Sequence, residues 1–530
     1  MGAVMIRFVF LAVLSVLLAL PLRAAPLSPE QQAVHVLNRL AYGPRPGDIE
    51  HVVRVGVRQY IDSQLEPASI PYPQALSARL AALDTVNRPA GEALAEFLEL
   101  RCALRSGDEA ARQRGKAGFE RLAHEAAAAR LLRAIESPRQ LEEVLVEFWF
   151  NHFNVFAGKG ITGALVAHYE RDAIRPHVLG RFRDLLGATT KHPAMLLYLE
   201  NHRSRAGALN ENHARALMEL HTIGPDAGHT ARDVRELARM LSGWTFDPDR
   251  LVRHNDGFRF EPRRHDQGSK RWLGHTVAPA GEREGELALD VLANHPATAR
   301  RLSYKLAQYF VSDAPPAALV ERIARTWGES GGDIRAVVRT VFASDEFMAP
   351  QALGAKFKSP YRFVVSAVRA GGAHVSDTAP LELALGQLGM PLYGCPAASG
   401  YPNTGDAWFS RDALARRVAF ATALASGRVA LWAEPLSQAD SASAAIPARA
   451  TTQAAPHMGT IAPAIPPPLV TDTVSSAAMA AATNAAPFEA GRLQSTLGSA
   501  ISPATIERMR RASAGERSAV LLGSADFMRY

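Results

Sequence analysis

The sequence predicts a mainly α-helical protein, a large multi-helix body with one small antiparallel β-hairpin near residues 257–275. Three observations point to this class. Apolar residues recur every three to four positions, helix start and stop residues bracket the periodic segments, and strand patterns are scarce. The chain has 530 residues, of which 47% are hydrophobic. That length is enough for one large helical body or for two to four domains.

Helices of the first half are predicted from amphipathic or apolar runs with capping or breaking residues at their ends. They cover residues 31–40, 48–65, 92–136 and 140–153. The third run is long enough for a helical hairpin, and Ser106-Gly107-Asp108 marks its turn. The fourth is so apolar that we expect it to be buried.

The same reasoning predicts the second half. Thr230 and Asp233 form a capping box with Asp in the usual Glu position. Further periodic runs predict the remaining helices over 230–241, 297–311, 317–327, 333–343 and 361–370. The best strand signals, residues 257–261 and 270–273, are expected to pair with each other around Asp266-Gln267-Gly268.

The first residues indicate export. A short segment with one positive charge, Met1–Arg7, precedes an apolar run over Phe8–Leu20 and a small residue at Ala24. This order is typical of a secretory signal peptide over residues 1–24, with the mature chain beginning near Ala25. The alternative is an uncleaved anchor, although the run is shorter than the roughly 20 apolar residues of a membrane span. We therefore expect a periplasmic or secreted protein with no stable membrane span after cleavage.

Composition divides the rest of the chain. Residues 25–435 are expected to form the helical body, with a region of polar motifs at 149–270 and a second helical half at 285–430. Residues 436–490 are rich in Ala, Pro, Ser and Thr, and such a segment cannot bury enough apolar surface to offset the entropy of ordering. We predict that this insertion is disordered and that helices in residues 491–530 complete the body.

Several classes of function are excluded by the residues themselves. The formal net charge is +7, but basic and acidic residues alternate, as in Arg232–Glu236, which argues against a nucleic-acid partner. Gly158–Gly163 fits a dinucleotide-binding glycine pattern, but no strand precedes it. Cys102 and Cys395 either pair or remain lone thiols, and their spacing excludes a zinc ribbon.

The segment 210–221 reads as one helix with an unusually ordered polar face. At about 100° per residue, Glu211, Arg215 and Glu219 fall on one side and the apolar residues on the other. Such a ladder of carboxylate, guanidinium and carboxylate is either an exposed set of ion pairs or the floor of a polar site. In both cases Arg215 is expected to pair with at least one carboxylate.

Several motifs together resemble a known bacterial family, domain-of-unknown-function family 1800. They are Trp149–Phe153, Asn210–Arg215, Asp233–Arg239, Ser242–Thr245, His265–Lys270, His295–Arg300, Ser344–Phe347 and Lys358–Pro360. The resemblance runs from about residue 30 to the end of the chain, apart from the insertion. It implies an exported, large, mostly helical protein with no established activity. It also implies a possible partner, an exported protein of family 1501, which resembles sulfatases and alkaline phosphatases.

Two positions depart from the pattern of that family. The resemblance implies an acid at position 216 and an aromatic residue at 213, where this chain has Ala216 and His213. If the acid takes part in chemistry in the family, this chain is altered or inactive. His213 and His221 are expected on the flank of the helix, partly exposed to solvent.

The matched polar residues define the candidate site. We expect eight of them to converge: His152, Asn210, Glu211, Arg215, Glu219, Asp233, Arg239 and His265. One interpretation is a structural ion-pair network, since buried charges must be paired. Another is a metal site, with ligands from His152, Glu211, Glu219, His265 and Asp266.

A third interpretation is catalytic. Glu211 and Glu219 would then serve as acid and base, and Arg215 would hold an anionic group, with His152 or His265 moving a proton. The matching function is a hydrolase or lyase acting on an envelope or extracellular polymer. The alternative is a non-enzymatic scaffold or accessory factor for the family 1501 partner. The sequence identifies no cofactor.

Overall fold

The computed structural model describes residues 25–255, 257–431 and 486–530. The predicted signal peptide, residues 1–24, lies outside these ranges, as do positions 436–485 of the predicted disordered insertion 436–490. Helices dominate the described chain and strands are few and short, so the mainly α-helical class is confirmed.

Fourteen helices form the first half and the middle of the described chain. The first seven are α1 (Pro29–Leu40), α2 (Asp48–Val55), α3 (Val57–Gln64), α4 (Gln74–Ala81), α5 (Asp84–Asn87), α6 (Ala90–Leu104) and α7 (Glu109–Glu136). The next seven are α8 (Gln140–His152), α9 (Thr162–His168), α10 (Phe182–Lys191), α11 (Pro193–Tyr198), α12 (Asn212–Arg215), α13 (Ala231–Met240) and α14 (Pro248–His254). Two π-helical segments extend α9 and α12, over Tyr169–Ile174 and Ala216–His221.

Ten helices follow in the described part of the second half. They are α15 (Glu282–Asn294), α16 (Pro296–Phe310), α17 (Ala317–Ser330), α18 (Ile334–Phe342), α19 (Pro360–Gly371), α20 (Ala379–Gln387), α21 (Arg411–Ala425), α22 (Ala490–Leu497), α23 (Pro503–Arg511) and α24 (Arg517–Leu522). Pro occupies the first turn of several of them, where its missing N–H costs no hydrogen bond.

Most predicted helices are present within a few residues of their expected ends, but one is split. The run 48–65 forms two helices because Gly56 has φ 91° and ψ 138°, far from helical values. The predicted hairpin of 92–136 is confirmed as α6 and α7, and Asp108 caps α7 by accepting from the backbone N–H groups of Ala110 and Ala111.

The predicted β-hairpin was wrong in its pairing. Both predicted strands exist, but β2 (Phe258–Phe260) pairs with β1 (Trp244–Phe246), and β3 (Lys270–Trp272) pairs with β4 (His275–Val277). The second pair turns through Leu273 and Gly274, both of which have positive φ. A two-residue turn with positive φ at both positions closes a tight hairpin, and Gly274 is the sequence signal for it.

One contiguous apolar core joins most of the described chain, and a smaller separate cluster holds α4 and α5 against α7. The larger core includes residues of α1 and α8 as well as Leu493, Leu521 and Phe527 from the C-terminal helices. The chain end also pairs with the middle of the protein, because Lys358 donates from its backbone N–H to Met528 and Tyr530 exchanges two backbone hydrogen bonds with Lys356.

Two further observations concern the thiols and the membrane. Cys102 is exposed and Cys395 is buried, and both are free thiols. Of the helices described, none combines the length and the apolar composition that crossing a bilayer requires.

Candidate functional site

A polar cleft of about 290 Å³ opens between α8, α16 and the loop that follows α20; we name it the α8–α16 cleft. Its walls are apolar and aromatic, from Phe148, Phe357, Met390, Tyr401 and Trp408. Its polar groups are Glu147, His152, Lys305, Tyr309 and Arg362. Apolar walls with a few convergent polar groups are typical of small-molecule sites, and this volume is at the lower end for such sites.

The two helices that form the cleft are joined by two polar side-chain contacts. The Tyr309 hydroxyl donates to Glu147 Oε2 over 3.1 Å, and Lys305 Nζ lies 2.9 Å from His152 Nδ1. From the first contact to the second, residue numbers rise from 147 to 152 on α8 and fall from 309 to 305 on α16. The two helices therefore run antiparallel here. On α16 the two residues are four positions apart and share one face of the helix, whereas Glu147 and His152 are five positions apart on α8; all four line the same cleft.

His152 is a neutral imidazole that holds the Lys305 side chain in place. Its Nδ1 accepts from the Lys305 ammonium, and its Nε2 donates to the backbone carbonyl of His221 at 3.0 Å. Burial, with help from the charge of Lys305, lowers the pKa of His152 well below its ordinary value. The residue therefore stays uncharged at neutral pH and acts as an acceptor toward Lys305.

Lys305 is the most unusual group of the cleft. Burial lowers its pKa to about 8, and the positive charge of Arg301 one turn earlier acts in the same direction. Among the described residues no carboxylate lies within ion-pair distance of its ammonium. A partly buried ammonium that lacks a counter-ion costs free energy, because burial removes water and no negative group replaces it.

Glu147, Tyr309 and Arg362 form a chain of hydrogen bonds along the other side. The Tyr309 hydroxyl donates to Glu147 and accepts from Arg362 Nη2 at 3.3 Å. Burial and the nearby Glu147 carboxylate hold the pKa of Tyr309 well above its ordinary value. The other terminal nitrogen of Arg362, Nη1, donates to the backbone carbonyls of Asn38 and Ala41 and fixes the guanidinium. The phenol therefore remains protonated, and the carboxylate is aligned by it.

The loop that closes the cleft is fixed to α8 by an amide clamp. Asn151 donates from Nδ2 to the Tyr401 carbonyl at 2.8 Å and accepts from the Tyr401 N–H at 2.7 Å. Gly400 has φ +74°, and a Cβ there would come within 2.1 Å of the Asn151 carbonyl oxygen. On the far side, Lys356 donates to the Asn403 carbonyl at 2.9 Å. The aromatic wall therefore has a defined position.

The eight residues predicted from sequence do not converge on one cleft. Of them, only His152 lines the α8–α16 cleft. Glu211, Arg215 and Glu219 form a separate ladder, in which Arg215 pairs with Glu219 at 2.9 Å and with Glu211 at 3.5 Å. The expected pairing of Arg215 is thus confirmed, but its side chain is 47% exposed.

We expect Arg215→Met to lower the free energy of unfolding by less than about 1 kcal/mol. The guanidinium is half-exposed and its partners lie at i−4 and i+4 on the same helical segment, so water solvates the carboxylates once it is removed. Urea denaturation of the variant and the wild type measures this. A loss above about 3 kcal/mol would instead mean that the ladder is a buried network.

Asn210 and Asp233 act at the beginnings of helices. Asn210 accepts at Oδ1 from the Asn212 N–H at 2.9 Å. Asp233 completes the predicted capping box with Thr230, and its other oxygen accepts from the backbone N–H of Leu273 at 2.8 Å. These contacts lower the pKa of Asp233 despite some desolvation of its carboxylate. Both side chains therefore have local structural partners.

Arg239 and His265 belong to a second polar cluster, under β3. Arg239 pairs with Glu236 at 2.7 Å and with both oxygens of Asp266. His265 Nε2 lies 3.1 Å from Glu284 Oε1, and Lys270 Nζ lies 2.6 Å from Glu284 Oε2. All three of these inner side chains are fully buried. This cluster is a buried network of ion pairs, and of the eight candidate residues it contains only Arg239 and His265.

The metal interpretation requires three or more ligands that meet at one point. In the ranges that the structure describes, no group of three His, Cys, Asp or Glu side chains is arranged to hold a metal ion. His265 and Asp266 are instead engaged with Glu284 and Arg239.

The expected exposure of His213 and His221 was wrong. Both are buried, and burial lowers their pKa values, to about 4 for His213 and about 3 for His221. The physical reason is the face on which they lie: His213 is four positions before the buried Leu217 and His221 is four positions after it, so both fall on the apolar side of the segment, which packs into the core. Ala216, where the family pattern has an acid, is buried as well.

The residues that line the cleft and were missed share one sequence signal. Glu147 and Arg362 are charged residues inside apolar helical runs, and Lys305 follows Tyr304 in a similar run. Charged residues are rarely buried unless they are paired or functional. Charged residues within apolar helical runs therefore indicate this cleft better than the regular ladder of 211–219 does.

Comparison with known proteins gives a family and no function. The profile of the family described as "Protein of unknown function (DUF1800)" matches residues 35–529. Neither a curated protein nor a solved structure matches the chain.

Proposed function

We propose that this chain, which belongs to the DUF1800 family, binds an anionic group of an envelope or extracellular polymer in the α8–α16 cleft. There it would carry out acid–base chemistry of the hydrolase or lyase type. The observation that carries the proposal is Lys305, an ammonium directed at a cleft without a carboxylate partner among the described residues. A bound carboxylate or phosphate would supply the missing counter-charge.

Besides binding an anion, the polar groups of the cleft would transfer protons to and from the ligand. Lys305, with a pKa of about 8, gains and loses a proton close to neutral pH. Glu147 lines the cleft itself and would accept a proton there, while the Tyr309 hydroxyl donates to it and holds its carboxylate in place. Arg362 and His152 hold these two pairs in position. The aromatic wall limits access of water to the bound group.

Export belongs to the same proposal. The charge, apolar run and small residue within residues 1–24 support cleavage near Ala25 and a periplasmic or secreted location. An exported helical protein with an anion site would meet acidic polymers of the cell envelope. The role of accessory factor for a family 1501 protein stays a prediction from the family resemblance.

Lys305→Met is expected to weaken binding of small anions by at least about tenfold, the loss of one charge-assisted contact. The probes are inorganic phosphate and galacturonate, measured by isothermal titration calorimetry at pH 7. Lys159→Met is the matched control, because Lys159 is a partly exposed lysine that pairs with Glu200 at 3.3 Å outside the cleft. Equal binding by Lys305→Met and the wild type would contradict the proposed site.

The pH dependence gives a second readout of the same variant. Only the ammonium form of Lys305 binds an anion, and its pKa is about 8. We therefore expect the affinity of the wild type for galacturonate, whose carboxylate stays ionised near neutral pH, to be constant below that pH and to fall about tenfold per pH unit above it. Residual binding by Lys305→Met should lack this decrease.

A further inference from the structure

A second cleft of about 470 Å³ lies on α16 one turn before Lys305, at the start of α17; we name it the α16–α17 cleft. The loop 223–227, which follows the π-helical turn, forms its other side. Arg301 and Tyr304 of α16 line it, and Tyr304 is 42% exposed. Asp226, Arg300 and Glu321 also line the cleft, and Arg300 pairs with Glu321 at 2.9 Å. Arg301 is therefore the cation of this cleft that has no ion-pair partner among the described residues.

Arg301 has no hydrogen-bond or ion-pair partner among the described residues. Its Nε is completely buried, and burial lowers the pKa of the guanidinium, while the Asp226 carboxylate acts from a distance in the opposite direction. Buried guanidinium groups are normally paired, because removing them from water costs free energy. An unpartnered arginine at the edge of a cleft points to a negative group that binds there.

The backbone of Gly224 leaves the space that the Arg301 side chain occupies. Gly224 has φ +90°, and a Cβ at this position would lie 2.8 Å from Arg301 Nη1. A residue with a side chain would be strained in this conformation and would also displace the guanidinium. The absence of a Cβ at residue 224 thus permits the position that Arg301 takes.

Arg301 and Lys305 are one helical turn apart, separated by a rise of about 6 Å along α16. The charge of Arg301 adds to the lowering of the Lys305 pKa, so the two cations interact. Like charges at i and i+4 repel. Neither has a carboxylate within ion-pair distance in the described chain, so the pair lowers the stability of the protein unless anions neutralise both.

We propose that the α16–α17 cleft is a second anionic subsite, so that the ligand is an acidic polysaccharide chain with one carboxylate at Lys305 and the next at Arg301. This inference rests on the proposed function of the α8–α16 cleft and names the class of its substrate. Tyr304, one position before Lys305, offers its ring to the apolar face of a sugar, as amphipathic aromatic side chains do in binding sites. This ring favours a saccharide over a linear polyphosphate.

The test compares ligands of increasing length. Galacturonic acid and its dimer and trimer are titrated into the wild-type protein at pH 7, with phosphate, pyrophosphate and tripolyphosphate as a second series. We expect the trigalacturonate to bind at least about tenfold more tightly than the monomer, because it reaches both cations. We expect no such gain along the phosphate series.

Arg301→Met should remove the gain with length. Trigalacturonate should then bind about as weakly as the monomer, while binding of the monomer to Lys305 stays unchanged. Thermal stability should be equal or higher, since no partner is lost and the repulsion with Lys305 is relieved. Arg322→Met is the control, because Arg322 lies on α17, is partly exposed and pairs with Glu346 at 2.6 Å.

Each contrary outcome has a separate meaning. Equal affinities for monomer and trimer, or a length effect that Arg301→Met leaves intact, would overturn the second subsite. A length effect confined to the phosphate series would overturn the saccharide assignment. If neither galacturonate nor phosphate binds, or if both bind equally to Lys305→Met, the proposed function itself is wrong and the second subsite is wrong with it.

Discussion

Lys270→Met is expected to lower the free energy of unfolding by about 3–5 kcal/mol. The Lys270 ammonium lies 2.6 Å from Glu284 Oε2, and both side chains are completely buried. The same carboxylate accepts from the Ala280 N–H at 2.8 Å and faces the His265 ring at 3.1 Å. Without the lysine, the Glu284 carboxylate stays buried and loses its ammonium partner. Urea denaturation followed by circular dichroism measures the loss.

The double variant Lys270→Met with Glu284→Gln tests this explanation. Removing both charges should destabilise the protein less than the sum of the two single changes, because the stranded charge is then gone. If the two losses simply add, the pair does not interact as the structure indicates. If Lys270→Met costs less than about 1 kcal/mol, the cluster is solvated and is not a buried network.

Arg175→Met is expected to have an effect of similar size, about 3–5 kcal/mol. Arg175 binds Glu143 through two hydrogen bonds of 2.8 and 3.0 Å and binds Glu170 at 3.0 Å. Glu143 is only 2% exposed and has no other cation within ion-pair distance among the described residues. Glu170 keeps Arg130 at 3.4 Å, so most of the loss comes from Glu143.

The matched control for Arg175 is Arg335→Met. Arg335 also binds a glutamate, Glu66, at 2.7 Å, but the two side chains are 39% and 51% exposed to solvent. Exposed pairs of this kind contribute less than about 1 kcal/mol. Similar losses for the two variants would show that burial does not decide the stability of these pairs, contrary to the expectation.

The prediction of helices depended on local signals, and these were mostly sufficient. Capping boxes, helix-breaking glycines and apolar periodicity act within a few residues, so Thr230 with Asp233 marked the beginning of α13 correctly. Gly56 broke a helix that the periodicity continued, because its φ of 91° is far from helical values and is one that glycine adopts without strain. The pairing of the strands failed because Trp244–Phe246 is too short to be recognised as a strand before its partner is known.

The candidate site depends on burial and on contacts between distant segments, which local sequence spacing does not reveal. The ladder of Glu211, Arg215 and Glu219 was predicted correctly as a set of neighbours, because i,i+4 spacing fixes their proximity. Whether that face is buried depends on what packs against it, and it proved to be exposed. Lys305 and Glu147 are 158 positions apart in the sequence and line the same cleft only because α8 and α16 pack antiparallel.

The sequence by itself determined the helical class, most helix limits, the pairing of Arg215 and the membership in the family. Each of these follows from spacing or from motifs that lie close together along the chain. Only the tertiary structure decided which charges are buried, because burial depends on contacts between distant segments. It placed Lys270 and Glu284 in a closed network and left Lys305 and Arg301 without carboxylate partners in the described chain. Since a buried charge is stable only with a counter-charge, that difference separates the structural clusters from the clefts where we propose that an acidic ligand binds.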